Sequence, residues 1–203
     1  MSNVPQGRGH RTGPDRVVDF NEAHDLRKRM APGSQGWVLS TIDSPIANRH
    51  EQGNVVKSEI RLFYLGQLTT NYTIAQSRIK VGTSDSGQTL TAALYVYNIS
   101  SGNMTKIGAS QADFDLSSVV QVTHTYGVPF SLRAGARMFL GTVASGGSGT
   151  AQVNSAVIHG GCSCRTISGT LLPSNVERLE ALSTGTGYVP GVVFLDVKAK
   201  DIF

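Results

Sequence analysis

The sequence of 203 residues predicts an all-β fold, an antiparallel β-sandwich entered through an extended N-terminal arm that carries one short helix. Three observations carry this reading. From Ser58 onward apolar residues recur with period two; the runs are short and separated by turns rich in Gly, Ser and Asn; residues 1–57 follow neither pattern. The sequence therefore divides into an arm, 1–57, and a sandwich domain, 58–203. With 39% hydrophobic and 16% charged residues the composition excludes a disordered chain. No run of about 18 apolar residues is present to form a membrane-spanning helix.

In the arm, Pro5, Pro14 and Pro32 punctuate the chain, and between the last two lies the one good helix pattern, near 20–30. Asp19 followed by Glu22 resembles a capping box. Phe20, Ala23, Leu26 and Met30 give an apolar side, and Arg27, Lys28 and Arg29 complement the C-terminal end of the helix dipole. Ala31-Pro32-Gly33 stops it. A helix this short is marginal alone and needs a surface to pack against. Phe20, Ala23, Leu26, Arg27, Arg29, Met30 and Trp37 are thus the expected partner-anchoring residues. Residues 34–57 read as mostly extended, with one apolar stretch at Trp37-Val38-Leu39.

In the domain, Leu90, Ala92, Leu94 and Val96 fall on one face of a strand and Tyr95 and Tyr97 on the other, so both faces are partly apolar. Val119–Tyr126 alternates more cleanly, Val120 and Val122 lying opposite Gln121, Thr123 and Thr125, with His124 continuing the valine face. Further strands are expected at Ile60–Leu65, Ile74–Val81, Met104–Ala109, Arg137–Val143, Val153–Ile158 and Val192–Val197. The joints are turn chemistry: Ser84–Gly87, Ser100–Asn103, Arg133–Gly135, Ser145–Gly149, His159–Gly161 and Ser183–Gly187. Eight to ten such strands indicate a sandwich or barrel, and the two-sheet sandwich is the expectation.

The chemistry-bearing motifs are poor. Gly146-Gly147-Ser148-Gly149-Thr150 misses the last glycine of a hydrolase elbow, and no lysine follows a glycine as a phosphate-binding loop requires. His159, Cys162 and Cys164 are zinc-ligand types at the wrong spacing. Asp113 and Asp115 share a strand face; with Asp85 they offer oxygen ligands, but a solvated strand end explains them more simply. No enzyme activity and no cofactor are expected. The net charge of +4 is thinly spread, ten Lys or Arg against seven Asp or Glu over 61–203, which argues against nucleic acid. Cys162 and Cys164, two apart, suit free thiols better than a mutual disulfide. Met1–Gly7 lacks the apolar core of a secretion signal, so synthesis in a cytoplasm is expected. Tyr95, Tyr97 and Tyr188 are candidates for stacking on a sugar.

The stretch Leu94-Tyr95-Val96-Tyr97-Asn98-Ile99-Ser100-Ser101-Gly102 leads through Gly108-Ala109-Ser110 and Asp113-Phe114-Asp115-Leu116-Ser117-Ser118 to Phe130-Ser131-Leu132-Arg133-Ala134-Gly135-Ala136-Arg137-Met138-Phe139-Leu140-Gly141. It resembles the jelly-roll or carbohydrate-module-like β-sandwich domains on head, neck and tail proteins of tailed bacteriophages, over residues 58–203. The resemblance implies a jelly-roll-like sandwich in a virion, used for scaffolding or surface attachment, and brings no catalytic residues. The expected partners are other virion proteins (capsid, neck or tail) bound through the arm, further copies in a homo-oligomer, and host surface glycans.

Overall fold

The computed structural model describes residues 38–40, 49–158, 164–177 and 187–198. The helix expected near 20–30, the anchoring residues Phe20, Ala23, Leu26, Arg27, Arg29, Met30 and Trp37, and His159 and Cys162 lie outside them. The strands are β1 (Val38–Ser40), β2 (Arg49–Asn54), β3 (Glu59–Gln67), β4 (Tyr72–Thr83), β5 (Gln88–Tyr97), β6 (Met104–Lys106), β7 (Ala112–Asp115), β8 (Gln121–Leu132), β9 (Arg137–Gly146), β10 (Gln152–Ile158), β11 (Cys164–Ser168), β12 (Asn175–Val176), β13 (Gly187–Pro190) and β14 (Val193–Asp196).

They form two antiparallel sheets packed as a sandwich. The first is built on β4, with β8 along one edge and β14 and then β10 along the other; β1 extends it from β14, and β2 and β13 flank β10. The second runs β11-β3-β9-β5-β6-β12, with β7 also on β5. The β5–β9 pair is its spine, in unbroken register from Gln88↔Gly146 to Tyr97↔Arg137.

The predicted alternation explains the layers. Leu90, Ala92 and Leu94 join Phe63, Phe114 and Leu140 in the core between the sheets, facing Ile74, Ile79, Val81, Tyr126 and Phe194 of the first sheet. Each large apolar side chain buried here contributes about 1.5–3 kcal/mol. Ala93 and Tyr95 point to the opposite face of β5, into a second cluster with Ile60, Leu62, Met104, Phe139, Leu172 and Val176. This outer cluster is roofed by the chain itself. β11 pairs with β3 at one side of the sheet and β12 with β6 at the other, so the connection between them crosses the outer face of β9 and β5. Tyr95 donates its hydroxyl hydrogen to the Pro173 carbonyl (2.8 Å), and Lys106 Nζ donates to the Leu172 carbonyl (3.0 Å), fixing the crossing segment.

Several turns are as expected. Gly87 and Gly135 take positive φ in the β4–β5 and β8–β9 turns. Asn98 Oδ1 accepts from Ser100 N and Ser101 N to close the β5–β6 turn.

Three expectations are corrected. The domain does not start at Ser58: β1 and β2 belong to the first sheet, and Leu39 and Val55 are buried in the main core, so residues 38–40 and 49–57 are sandwich rather than arm. The strand expected over Met104–Ala109 ends at Lys106, because Gly108–Ser110 coils into a single 3-10 turn whose Ser110 hydroxyl bonds the Ile107 carbonyl (2.6 Å). The strand expected to end at Tyr126 continues to Leu132 through a bulge.

Candidate interaction surface

The sequence-predicted sites separate once placed. Tyr95 is corrected outright: it is fully buried beneath the crossing segment, and burial raises its hydroxyl pKa, so it has no ring face for a sugar. Tyr97 is half-buried with its ring 6.1 Å from that of Phe139. Tyr188, on β13, is 37% exposed; it lies close over Gly53, where a Cβ would stand 2.6 Å from the tyrosine Cβ, and its hydroxyl donates to Glu51 (3.4 Å). No platform of adjacent exposed tyrosines results.

The carboxylates are engaged within the fold, one across a strand pair and two at turns. Asp113 accepts from the Thr91 hydroxyl (2.6 Å), and Asp115 accepts from Ser117 N and Ser117 Oγ (2.9 Å each), closing the end of β7. Asp85 accepts from Gly149 N (3.0 Å) and lies 3.7 Å from Lys57 Nζ. Among the described residues no group of three His, Cys, Asp or Glu side chains is placed to hold a metal, and no helix is long and apolar enough to cross a membrane.

What the fold leaves open is the outer edge of β8. This strand of 12 residues pairs only with β4 among the described strands. Its inward face is fixed by packing. His124 meets Tyr126 and Phe114 edge-on, with ring centroids 4.9 and 6.5 Å apart, and Tyr126 is buried against Phe130. The Tyr126 hydroxyl donates to the Ser110 carbonyl and accepts from the Ser77 hydroxyl, both at 3.0 Å, joining the two sheets beneath the strand. Burial pushes its pKa up to about 12, the Ser77 hydrogen bond opposing.

The outward side has a definite pattern. Val81 N donates to the Val120 carbonyl (3.0 Å), and a strand residue directs its N–H and C=O to the same side. The even-numbered residues 120, 122 and 124 therefore face β4, and Gln121, Thr123 and Thr125 present their peptide groups at the outer edge. Beyond them the strand bulges. Ile74 pairs with Phe130 and Gln76 with Thr125, so Tyr126–Pro129 stand against Ala75 alone, with Val128 at 78% exposure. Val119 and Val120, before the strand, are 60% and 52% exposed. From Val119 to Leu132 there is no Asp, Glu, Lys or Arg. The period-two pattern identified this strand in the sequence; that it lies at an edge had no signal there, because edge position depends on which strands pair.

Fold and surface together define a two-sheet antiparallel β-sandwich protein with one long uncharged edge. No family model matches the chain, and no curated protein matches it. Among solved structures it is similar to a chain in the structure of infectious bursal disease virus Gx strain, at 15% identity and a TM-score of 0.32, covering 78% of this chain and 40% of that one. A chain in the structure of the Gt strain of that virus is similar at 13% identity and a TM-score of 0.28, with 82% and 44% covered. This chain thus spans less than half the length of either. At these TM-scores no function is carried across.

Proposed function

We propose that this chain is a non-enzymatic structural protein of a tailed-phage virion, a peripheral sandwich held on the particle by its N-terminal arm and present as a homo-oligomer. Its place would be as a capsid decoration, a head fibre, or a neck or tail component. The observation that carries this reading is where the phage-like stretch falls. Leu94–Tyr97 ends β5 and Asn98–Gly102 turns into β6; Asp113–Ser118 covers the end of β7, and Phe130–Gly141 covers the β8–β9 turn and half of β9. The resembling residues are consecutive strands and turns around the spine of one sheet, as expected of a shared scaffold. The polar side chains support a scaffold as well. The buried hydroxyls of Tyr95, Tyr126 and Ser110 bond backbone carbonyls, Asp115 closes a turn and Asp113 bonds Thr91 across the β5–β7 pair.

The test uses the full chain with Phe20→Asp and Leu26→Asp together, which places charge on the apolar side of the predicted anchoring helix. Particle occupancy is expected to fall while thermal unfolding of the sandwich is unchanged. Unchanged occupancy would defeat the anchoring reading.

A second reading, a domain contacting host surface glycans, now rests on Tyr188, the exposed aromatic of β13. Binding on a glycan array that disappears in Tyr188→Ala would support it; absence of binding by the folded chain would remove it.

A further inference from the structure

We propose that two copies of this chain pair antiparallel through the outer edges of their β8 strands, about a two-fold axis at Thr123. The particle reading already includes a homo-oligomer; the pairing deepens that part by naming the surface through which copies meet, and it is tested in solution, apart from any particle.

An exposed edge offers a row of unpaired peptide groups, and natural sheets protect such edges with charge, proline, bulges or shortness. The other outer strands of this fold follow that rule. Among the described strands, β2 carries Glu51, β7 carries Asp113 and Asp115, β11 and β13 have five and four residues, β13 ending in Pro190, and β1 and β12 have three and two. β8 has protection only at one end, where the bulge and Pro129 stop the ladder. Its regular part, Gln121–Thr125, has none.

Self-pairing is what the uncharged edge fits. In an isologous contact each residue of the segment meets its own segment reversed, so a charged group near the axis would face its own copy. With the axis at Thr123, Thr123 opposes Thr123 and Gln121 opposes Thr125 of the second copy. All three residues have outward peptide groups, so each of these pairs exchanges two backbone hydrogen bonds. The side-chain chemistry of the Gln–Thr pair is already present inside the chain, where Gln76 Nε2 donates to Thr125 Oγ1 (3.2 Å) across β4 and β8.

The same axis accounts for the exposed valines. It brings the start of each edge, where Val119 and Val120 are exposed, to the end of the other, where the Gly127–Val128 bulge stands beyond the paired residues. Gly127 has nothing within 4 Å of where a Cβ would stand, leaving room for the contact. The apolar groups at the two ends of the edge, separated within one chain, are brought together by the two-fold. An interface of this length lies at the small end of specific contacts, so dissociation in the range of roughly 10–100 µM is expected.

The test is sedimentation equilibrium of the full chain over a concentration series, with thermal unfolding as the control for folding. The chain is expected to dimerise, and Thr123→Lys, whose ammonium groups would meet at the axis, is expected to weaken dimerisation by about tenfold or more. A variant that fails to fold is replaced by Thr123→Cys in a Cys162→Ser, Cys164→Ser background. Residues in such a pair have Cα atoms about 5.5 Å apart, within disulfide reach, so oxidised glutathione is expected to yield a covalent dimer. Ser131→Cys in the same background, beyond the bulge, is expected to stay monomeric under the same oxidation. A chain that remains monomeric at its solubility limit overturns the proposal. So does an oligomer indifferent to Thr123→Lys, or a Thr123→Cys variant that crosslinks no better than Ser131→Cys.

Discussion

The ring of Tyr95 rests on Gly141: a Cβ added to that glycine would stand 2.5 Å from Tyr95 Cε2 and 3.2 Å from Leu62 Cδ2. Gly141 pairs with Ala93, two residues along β5 from Tyr95, so the phenol leans diagonally across the small pair Gly141–Ala93. The crossing segment then closes over it.

Gly141→Ala is therefore expected to destabilise the fold by about 1–3 kcal/mol, the usual cost of overpacking a filled site. Urea unfolding would show it as a lower midpoint at unchanged slope. Stability equal to that of the parent chain would mean that the tyrosine has room to move.

Tyr95→Phe keeps the ring and removes the bond to the Pro173 carbonyl. A loss of about 1 kcal/mol is expected. Amide exchange should accelerate selectively between β11 and β12, where the crossing segment has lost its tie, with the β5–β9 spine little affected.

Raised tyrosine pKa values make stability depend on alkaline pH. Desolvation, opposed by the Ser77 hydrogen bond, raises Tyr126 from 10.0 to about 12, and Tyr95 and Tyr72 are raised in the same direction, Tyr72 by burial and then by Asp196. Below pH 10 the hydroxyls are protonated in folded and unfolded chains alike, and their contribution is fully present. Between about pH 10 and 12 the unfolded chain loses protons that the folded chain keeps, so stability falls as pH rises. Unfolding free energies measured across this window should decline, and Tyr126→Phe should flatten the decline.

Asp85→Ala removes the acceptor for Gly149 N and the partner of Lys57 at the end of the sandwich where the β4–β5 and β9–β10 turns meet. The expected loss is about 1–2 kcal/mol, from the backbone hydrogen bond and from an ion pair that is partly buried, with 31% of the Lys57 side chain and 10% of that of Asp85 exposed, and so is little screened by salt. High salt should therefore reproduce only a small part of the effect in the parent chain.

Much of the fold is legible in the residues. The alternation of Leu90, Ala92 and Leu94 against Ala93 and Tyr95 already implied a strand with two apolar faces, and Asp113 and Asp115 opposite Phe114 implied a strand end with one wet side. Glycines at 87, 102 and 135 marked turns that need positive φ. The expected sugar-stacking role of Tyr95 shows the limit of this reading. An aromatic on the second face of a strand looks the same whether that face is open or roofed, and its roof comes from a segment 78 residues further along.

The sequence by itself determined the class of fold and the positions of most strands, because period-two patterning and turn residues act over a few neighbours. Only the tertiary structure decided that β1 and β2 belong to the sandwich, that Tyr95 is buried and that β8 forms an outer edge. Those outcomes depend on pairing between strands far apart in the chain. Short strands such as Val38–Ser40 have too little local signal to announce themselves and are held by the partner they meet.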